Sequence, residues 1–130
     1  MSGKDCHQIF TPEVLAGIFP PERADQFFEA LFGDASEGAY DITLVFRECR
    51  EAENRLQFEL QLHERPGKCL ACNLTYGLPE VFSRHPLLDF KGVARELAAR
   101  LGATCKEWRL GTTQSRSRQL HVVPFTIILA

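Results

Sequence analysis

Cys69-Leu70-Ala71-Cys72 places two thiols at Cys-x-x-Cys spacing directly after a Pro66-Gly67 turn. That spacing serves two chemistries. In zinc knuckles the paired thiolates supply half of a tetrahedral site. In redox proteins the first thiol sits at a helix N-terminus, where the dipole favours the thiolate. Here no second Cys-x-x-Cys completes a zinc site, and Asn73-Leu74-Thr75-Tyr76 continues as a strand-like run. Residues 69 and 72 of a regular strand point to opposite faces. Cys69 and Cys72 can therefore share an ion only if the turn at Pro66 extends through Cys72. His63, Cys49, Cys6 and His7 are the remaining candidate ligands. No cofactor is expected.

A nucleophilic site needs a Cys or Ser within reach of a base that a third group orients. Cys49, Cys69 and Cys105, with His63, His85 and His121, supply the residue types, but no Gly-rich elbow or metal-binding His pair accompanies them. No catalytic residue is assigned. The most site-like set is Tyr76, Arg84 and His85, at and beyond the end of a strand-like run, because loops carry function more often than cores do. It is read as a binding site, with an enzyme centred there as an alternative. Glu48, Glu51 and Glu53 read as a solvated hairpin tip.

The elements that must position these residues follow from periodicity. Thr11-Pro12 opens a short helix through Phe19, with Thr as N-cap and Pro at the first helical position. A second helix over 21–33 carries an apolar stripe of Ala24, Phe27, Phe28, Leu31 and Phe32, and Gly33 stops it. Strict alternation over 42–47, 56–63 and 70–76 predicts three antiparallel strands with one face buried. Parity allows Phe46 to pair with Leu56, Leu44 with Phe58 and Ile42 with Leu60, then Leu62 with Leu70 and His63 with Cys69. Residues 77–86 form a connector. Asp89 caps a helix over 89–101, closed by Gly102. A strand over 104–110, a polar loop over 111–119 and a strand over 121–129 complete the chain. The expected fold is α+β, in the order α-α-β-β-β-α-β-β. Its five-stranded, mainly antiparallel sheet has two main helices packed on the face made by Phe46, Phe58, Leu60, Leu62 and Leu74. One domain spans 1–130, with residues 1–10 mobile.

The last strand is apolar on both faces, yet Pro124 lacks an N–H and argues for an edge or a bulge. Val123, Phe125 and Ile127 left in water would make an apolar patch. The expectation is a homodimer through His121–Leu129, or a cover from residues 1–20.

With 130 residues the chain can bury a core without disulfide or metal support. The opening residues lack a leader-like apolar run, no stretch is long enough to cross a membrane, and the Cys count is odd, so a reducing cytoplasm is expected. The net charge of −2 conceals an asymmetry: residues 1–64 carry 13 acids and 5 bases, residues 65–130 carry 4 acids and 10 bases. Interleaving of the halves in one sheet would offset these charges. A basic face of Arg100, Lys106, Arg109, Arg116 and Arg118 would instead suit an acidic or phosphate-bearing partner.

The helix–strand–strand–strand–helix order resembles double-stranded RNA-binding domains, whose last helix opens on a lysine cluster. The corresponding Leu87-Leu88-Asp89-Phe90-Lys91 holds a single lysine, so nucleic acid is not an expected partner. The complete order is similar to small dimeric secretion chaperones, but without their C-terminal helix. In wording, Phe27-Phe28-Glu29-Ala30-Leu31-Phe32-Gly33-Asp34 and Leu74-Thr75-Tyr76-Gly77-Leu78-Pro79 resemble a family of small uncharacterised bacterial proteins, some of which carry a homeobox-type label. A homeodomain is excluded, since it is three helices with a basic recognition helix. The resemblance implies a bacterial source and no activity. The function expected is that of a small cytosolic, non-catalytic module binding a protein or a small ligand, chaperone-like in element order. A zinc- or thiol-dependent protein using Cys69 and Cys72 is the alternative, beside the enzyme at Tyr76, Arg84 and His85.

Overall fold

Alternation of apolar and polar residues builds a five-stranded antiparallel sheet in the computed structural model, which describes residues 6–33, 40–67 and 88–130. The elements are α1 (Cys6–Ile9), α2 (Pro12–Ile18), α3 (Glu22–Phe32), β1 (Tyr40–Arg50), β2 (Arg55–Glu64), α4 (Phe90–Ala99), β3 (Cys105–Leu110), β4 (Gln114–Ser115) and β5 (Leu120–Leu129). The class is α+β, as expected. The helix ends fall where capping chemistry puts them. Thr11 Oγ1 accepts from Val14 N at 3.3 Å, Gly33 ends α3 at φ 80°, and Asp89 Oδ1 accepts from Gly92 N at 3.1 Å.

The strands run in the order β1-β2-β5-β3, with β4 paired to β5 on the side that β3 also uses. Rows of paired residues cross the sheet. One is Phe46–Phe58–Phe125–Leu110, another Leu44–Leu60–Val123, a third Cys49–Leu56–Ile127–Trp108. These rows face the helices. Phe58, Leu60, Leu62, Val123, Phe125 and Ile127 are fully buried among Ala24, Phe27, Phe90, Val93, Ala94 and Leu97.

Several expectations need correction. The faces of β1 and β2 are as read, but the register is displaced by two residues: Ile42 pairs with Leu62, Leu44 with Leu60 and Phe46 with Phe58. The hairpin turns through a 3-10 helix at Glu51–Glu53 and Asn54 at φ 50°, and a bulge at Arg47 absorbs one residue. Parity preserves the face but cannot choose between registers two apart. The strand expected over 70–76 and the connector over 77–86 lie outside the described residues. Both edges of β2 are taken, with Ile42 and His121 flanking Leu62 and Asp41 and Leu120 flanking His63, so no edge is left there for Leu70 or Cys69. Within the stretch read as the 111–119 loop, Gln114–Ser115 forms β4.

The C-terminal strand β5 is internal, not an edge. Pro124 is tolerated there because Gly111 N donates to its carbonyl at 2.8 Å. The carbonyl and the ring nitrogen of a strand residue face the same side, so the missing donor points at the break between β3 and β4. Val123, Phe125 and Ile127, expected on an uncovered face, are covered by the chain's own helices. On the opposite face Val122 is buried, while Pro124, Thr126 and Ile128 are half-buried. Cys6–Ile9 form a helical turn, and Phe10 after it lies 5.2 Å from the Phe46 ring and 5.1 Å from that of Phe58. Among the described residues no helix is long and apolar enough to cross a membrane.

Candidate functional site: a groove along the first strand

Cys69, Cys72, Tyr76, Arg84 and His85 all lie outside the described residues. Of the companion ligands, Cys49 pairs with Leu56 at one end of β2, and His63 lies near the other. At the strand rise of about 3.3 Å per residue their rows are roughly 23 Å apart, so the two cannot share an ion. Among the described residues no group of three His, Cys, Asp or Glu side chains could hold a metal. Burial pushes the Cys105 thiol above its ordinary range, and Sγ lies 3.5 Å from the Glu107 carbonyl as a hydrogen-bond donor. A raised thiol is a poor nucleophile at neutral pH.

The described residues assemble a different site. A groove of about 470 Å³ runs between the N-terminal helices and β1. Phe10, Leu15 and Phe19 form one wall, and Ile42, Leu44 and Phe46 form the other. Ala16, Pro12 and Pro21 sit on the helical rim. Local sequence sets this wall. Pro12 at the first helical position and the Thr11 cap start α2, so Leu15 and Ile18 turn inward and leave Ala16 exposed. Phe19 ends the helix with its N–H donated to Leu15 O at 2.8 Å, and Pro20-Pro21 turns the chain into α3.

The β1 side of the groove is unusual in one respect. Five consecutive residues, Ile42 to Phe46, line it, although neighbours in a strand point to opposite faces. Only a groove that runs along the strand's edge meets both sets of side chains. β1 ends the strand order, so the outward N–H and C=O groups of residues 42–45 have no ladder partner among the described residues. Backbone hydrogen-bonding groups and apolar walls therefore share one surface.

The far end of the groove is held by Arg23. Its guanidinium lies 5.5 Å from the centre of the Phe19 ring, and Nη1 donates to Leu88 O at 2.9 Å, tying α3 to the start of α4. Phe19 stacks on Phe90 at 5.2 Å. Glu13 and Glu22, the neighbours of Pro12 and Pro21, are exposed and form no ion pair among the described residues.

The sequence marks Leu15, Phe19, Ile42 and Leu44 as apolar and so as core. No local signal says that β1 ends the strand order of the described residues, and on that the groove depends. Comparison of the chain with family models, with curated proteins and with solved structures gave no match.

Proposed function

We propose that the protein is a non-catalytic binding module that receives an extended segment of a partner protein along the edge of β1 that has no ladder partner among the described residues. The observation that carries this reading is the lining of one groove by the consecutive residues Ile42 to Phe46. An added strand would satisfy the backbone groups of β1 that lack a ladder partner among the described residues, and its alternate side chains would enter the apolar cavity, as in other strand-addition modes of recognition. The uncharged lining favours a segment with apolar side chains at alternate positions. The Cys6 and Cys105 thiols carry no disulfide, which supports a reducing, cytoplasmic setting. A second copy docked through His121–Leu129 forms no part of the proposal, because Val123, Phe125 and Ile127 are already buried within the chain.

The test uses a fluorescein-labelled decapeptide of alternating Leu and Thr with a Lys at each end. Fluorescence anisotropy should show saturable binding to the wild type. Ala16 is an exposed helical residue on the groove wall, so Ala16→Arg fills the site without opening the core. This variant should keep the wild-type melting temperature and lose at least about tenfold in affinity, a difference of about 1.4 kcal/mol. Equal binding by both proteins, or none by the wild type, would refute the reading.

A further inference from the structure

The face of the sheet turned away from the helices holds a buried carboxylate. Glu59, in the middle of β2, has a side chain only 5% exposed. It pairs laterally with Val45 on β1 and with Pro124 on β5. Three side chains reach it. Gln61 Nε2 donates to Oε1 at 3.0 Å, Arg116 Nη2 donates to Oε2 at 3.1 Å, and Arg47 Nη1 stands 3.8 Å from Oε1. A cleft of about 310 Å³ opens over this cluster, lined also by Gln57 and Gln114.

The donors are not balanced by acceptors. Each guanidinium carries five N–H donors. Arg116 uses one of them on the protein, and Arg47, at 3.8 Å, is an ion-pair neighbour beyond hydrogen-bond length. The floor offers nothing more. Gln57 accepts from Thr126 Oγ1 at 2.8 Å and donates to Phe58 O at 3.2 Å, while Glu48, at the cleft wall, accepts from Arg50 Nε at 3.0 Å. Two cations face one buried anion, and the second carboxylate of the lining, Glu48, is paired with Arg50 at 3.0 Å.

The cations are also held in place. Arg116 begins a tight turn in which its own N–H and that of Ser117 donate to Leu120 O, each at 3.0 Å, and Gln119 N donates to Ser117 Oγ at 3.3 Å. Arg47 sits at the β1 bulge, which re-aims side chains relative to a regular strand. Both arginine side chains are about half exposed, at 52% and 44%. One side of each is drawn towards Glu59 and the other faces the cleft. A purely structural ion pair would need one arginine. The second, Arg47, stands beside the same carboxylate without a hydrogen bond to it, and both arginines line the cleft.

We propose that this cleft is an oxyanion site, taking the phosphate or carboxylate group of a ligand between Arg47 and Arg116. Planar guanidinium forks match both groups in geometry and charge. Glu59 is a positioning residue that holds the two forks at a fixed separation. The site is independent of the β1 groove, and either proposal can fail without the other.

The experiment follows the arginine Nε–H signals of the full-length protein by NMR while inorganic phosphate, and separately acetate, is added at constant ionic strength set with chloride. Saturable shifts of the Arg47 and Arg116 signals are expected with at least one of the two anions. Tighter phosphate binding identifies a phosphate-bearing ligand, and tighter acetate binding a carboxylate-bearing one. Arg47→Gln should weaken binding at least tenfold. Arg116→Gln alone would take from Glu59 its hydrogen-bonded cation, so the double variant Arg116→Gln/Glu59→Gln keeps the floor neutral and folded and should show the same loss. Shifts that never saturate with either anion, or that persist unchanged in Arg47→Gln and in the double variant, would overturn the proposal.

Discussion

At the scale of single residues, burial decides which polar groups titrate outside their ordinary range. Tyr40 is 2% exposed, its ring set edge-on 4.9 Å from Phe28, and desolvation raises its hydroxyl pKa well above the usual tyrosine value. A group whose folded pKa is raised contributes stability that is complete below the unfolded pKa and is lost as pH rises towards the folded one. The unfolded tyrosine ionises near pH 10, so the loss begins there. Tyr40→Phe keeps the ring and removes the proton. Its urea midpoint should therefore fall less than that of the wild type between about pH 8 and pH 11. Equal falls would show that Tyr40 is not the titrating group. Phe58 and Leu60 are wholly buried. Truncation of either to Ala should cost about 2–5 kcal/mol in denaturant unfolding through lost burial and a residual cavity. A loss under about 0.5 kcal/mol at both, within the range of surface substitutions, would place them off the core face.

At the scale of elements, two helical glycines give opposite expectations. Gly17 in α2 is exposed, and an added Cβ would meet nothing within 4 Å. Gly17→Ala should stabilise by up to about 1 kcal/mol, the difference in helix propensity. Gly92 lies in the first turn of α4, where an added Cβ would collide with the Asp89 carboxylate that caps the helix. Gly92→Ala gains the same propensity but displaces a cap that contributes about 1 kcal/mol, and Asp89 already sits in the left-handed region at φ 46°. Its urea midpoint should fall or stay level where that of Gly17→Ala rises. A clear rise for Gly92→Ala would mean that the cap contributes little. Gly111 marks a comparable close approach in the sheet: a Cβ there would come within 3.2 Å of the Pro124 ring, beside the break that makes Pro124 tolerable in an internal strand.

For the whole molecule, the strand order explains how an acidic first half and a basic second half coexist. β2, from the first half, lies beside β5, from the second, along its full paired length. Ion pairs join the halves: Arg65 to Asp25 at 2.7 Å and to Asp41 at 3.0 Å, and Arg116 to Glu59 at 3.1 Å. The two halves are therefore parts of one cooperative unit. A fragment of residues 1–64 would keep the β1–β2 hairpin but expose the β5-facing edge of β2 and the core faces of Phe58 and Leu60. Unpaired apolar edges of that kind promote association or unfolding. Far-UV circular dichroism and sedimentation of this fragment should show a disordered or aggregated chain, with structure regained on mixing with 65–130. A native-like monomeric fragment would contradict the interleaved core.

Residue order alone determined the faces. Alternation placed Leu44, Phe58, Leu60 and Leu62 inward, and Thr11, Gly33 and Asp89 marked helix ends, because both signals act over a few neighbouring residues. It also showed an uneven charge and no compact catalytic motif. Tertiary structure alone decided the rest. Register required the bulge at Arg47, since a shift of two residues leaves every side chain on its own face. The burial of Val123, Phe125 and Ile127 depended on β5 lying between β2 and β3, a long-range pairing with no local signature. The groove exists because β1 ends the strand order of the described residues, and the Glu59 cluster because a turn near the C-terminus lays Arg116 over β2. Both surfaces join residues far apart in the chain, and periodicity carries no information about which distant strands become neighbours.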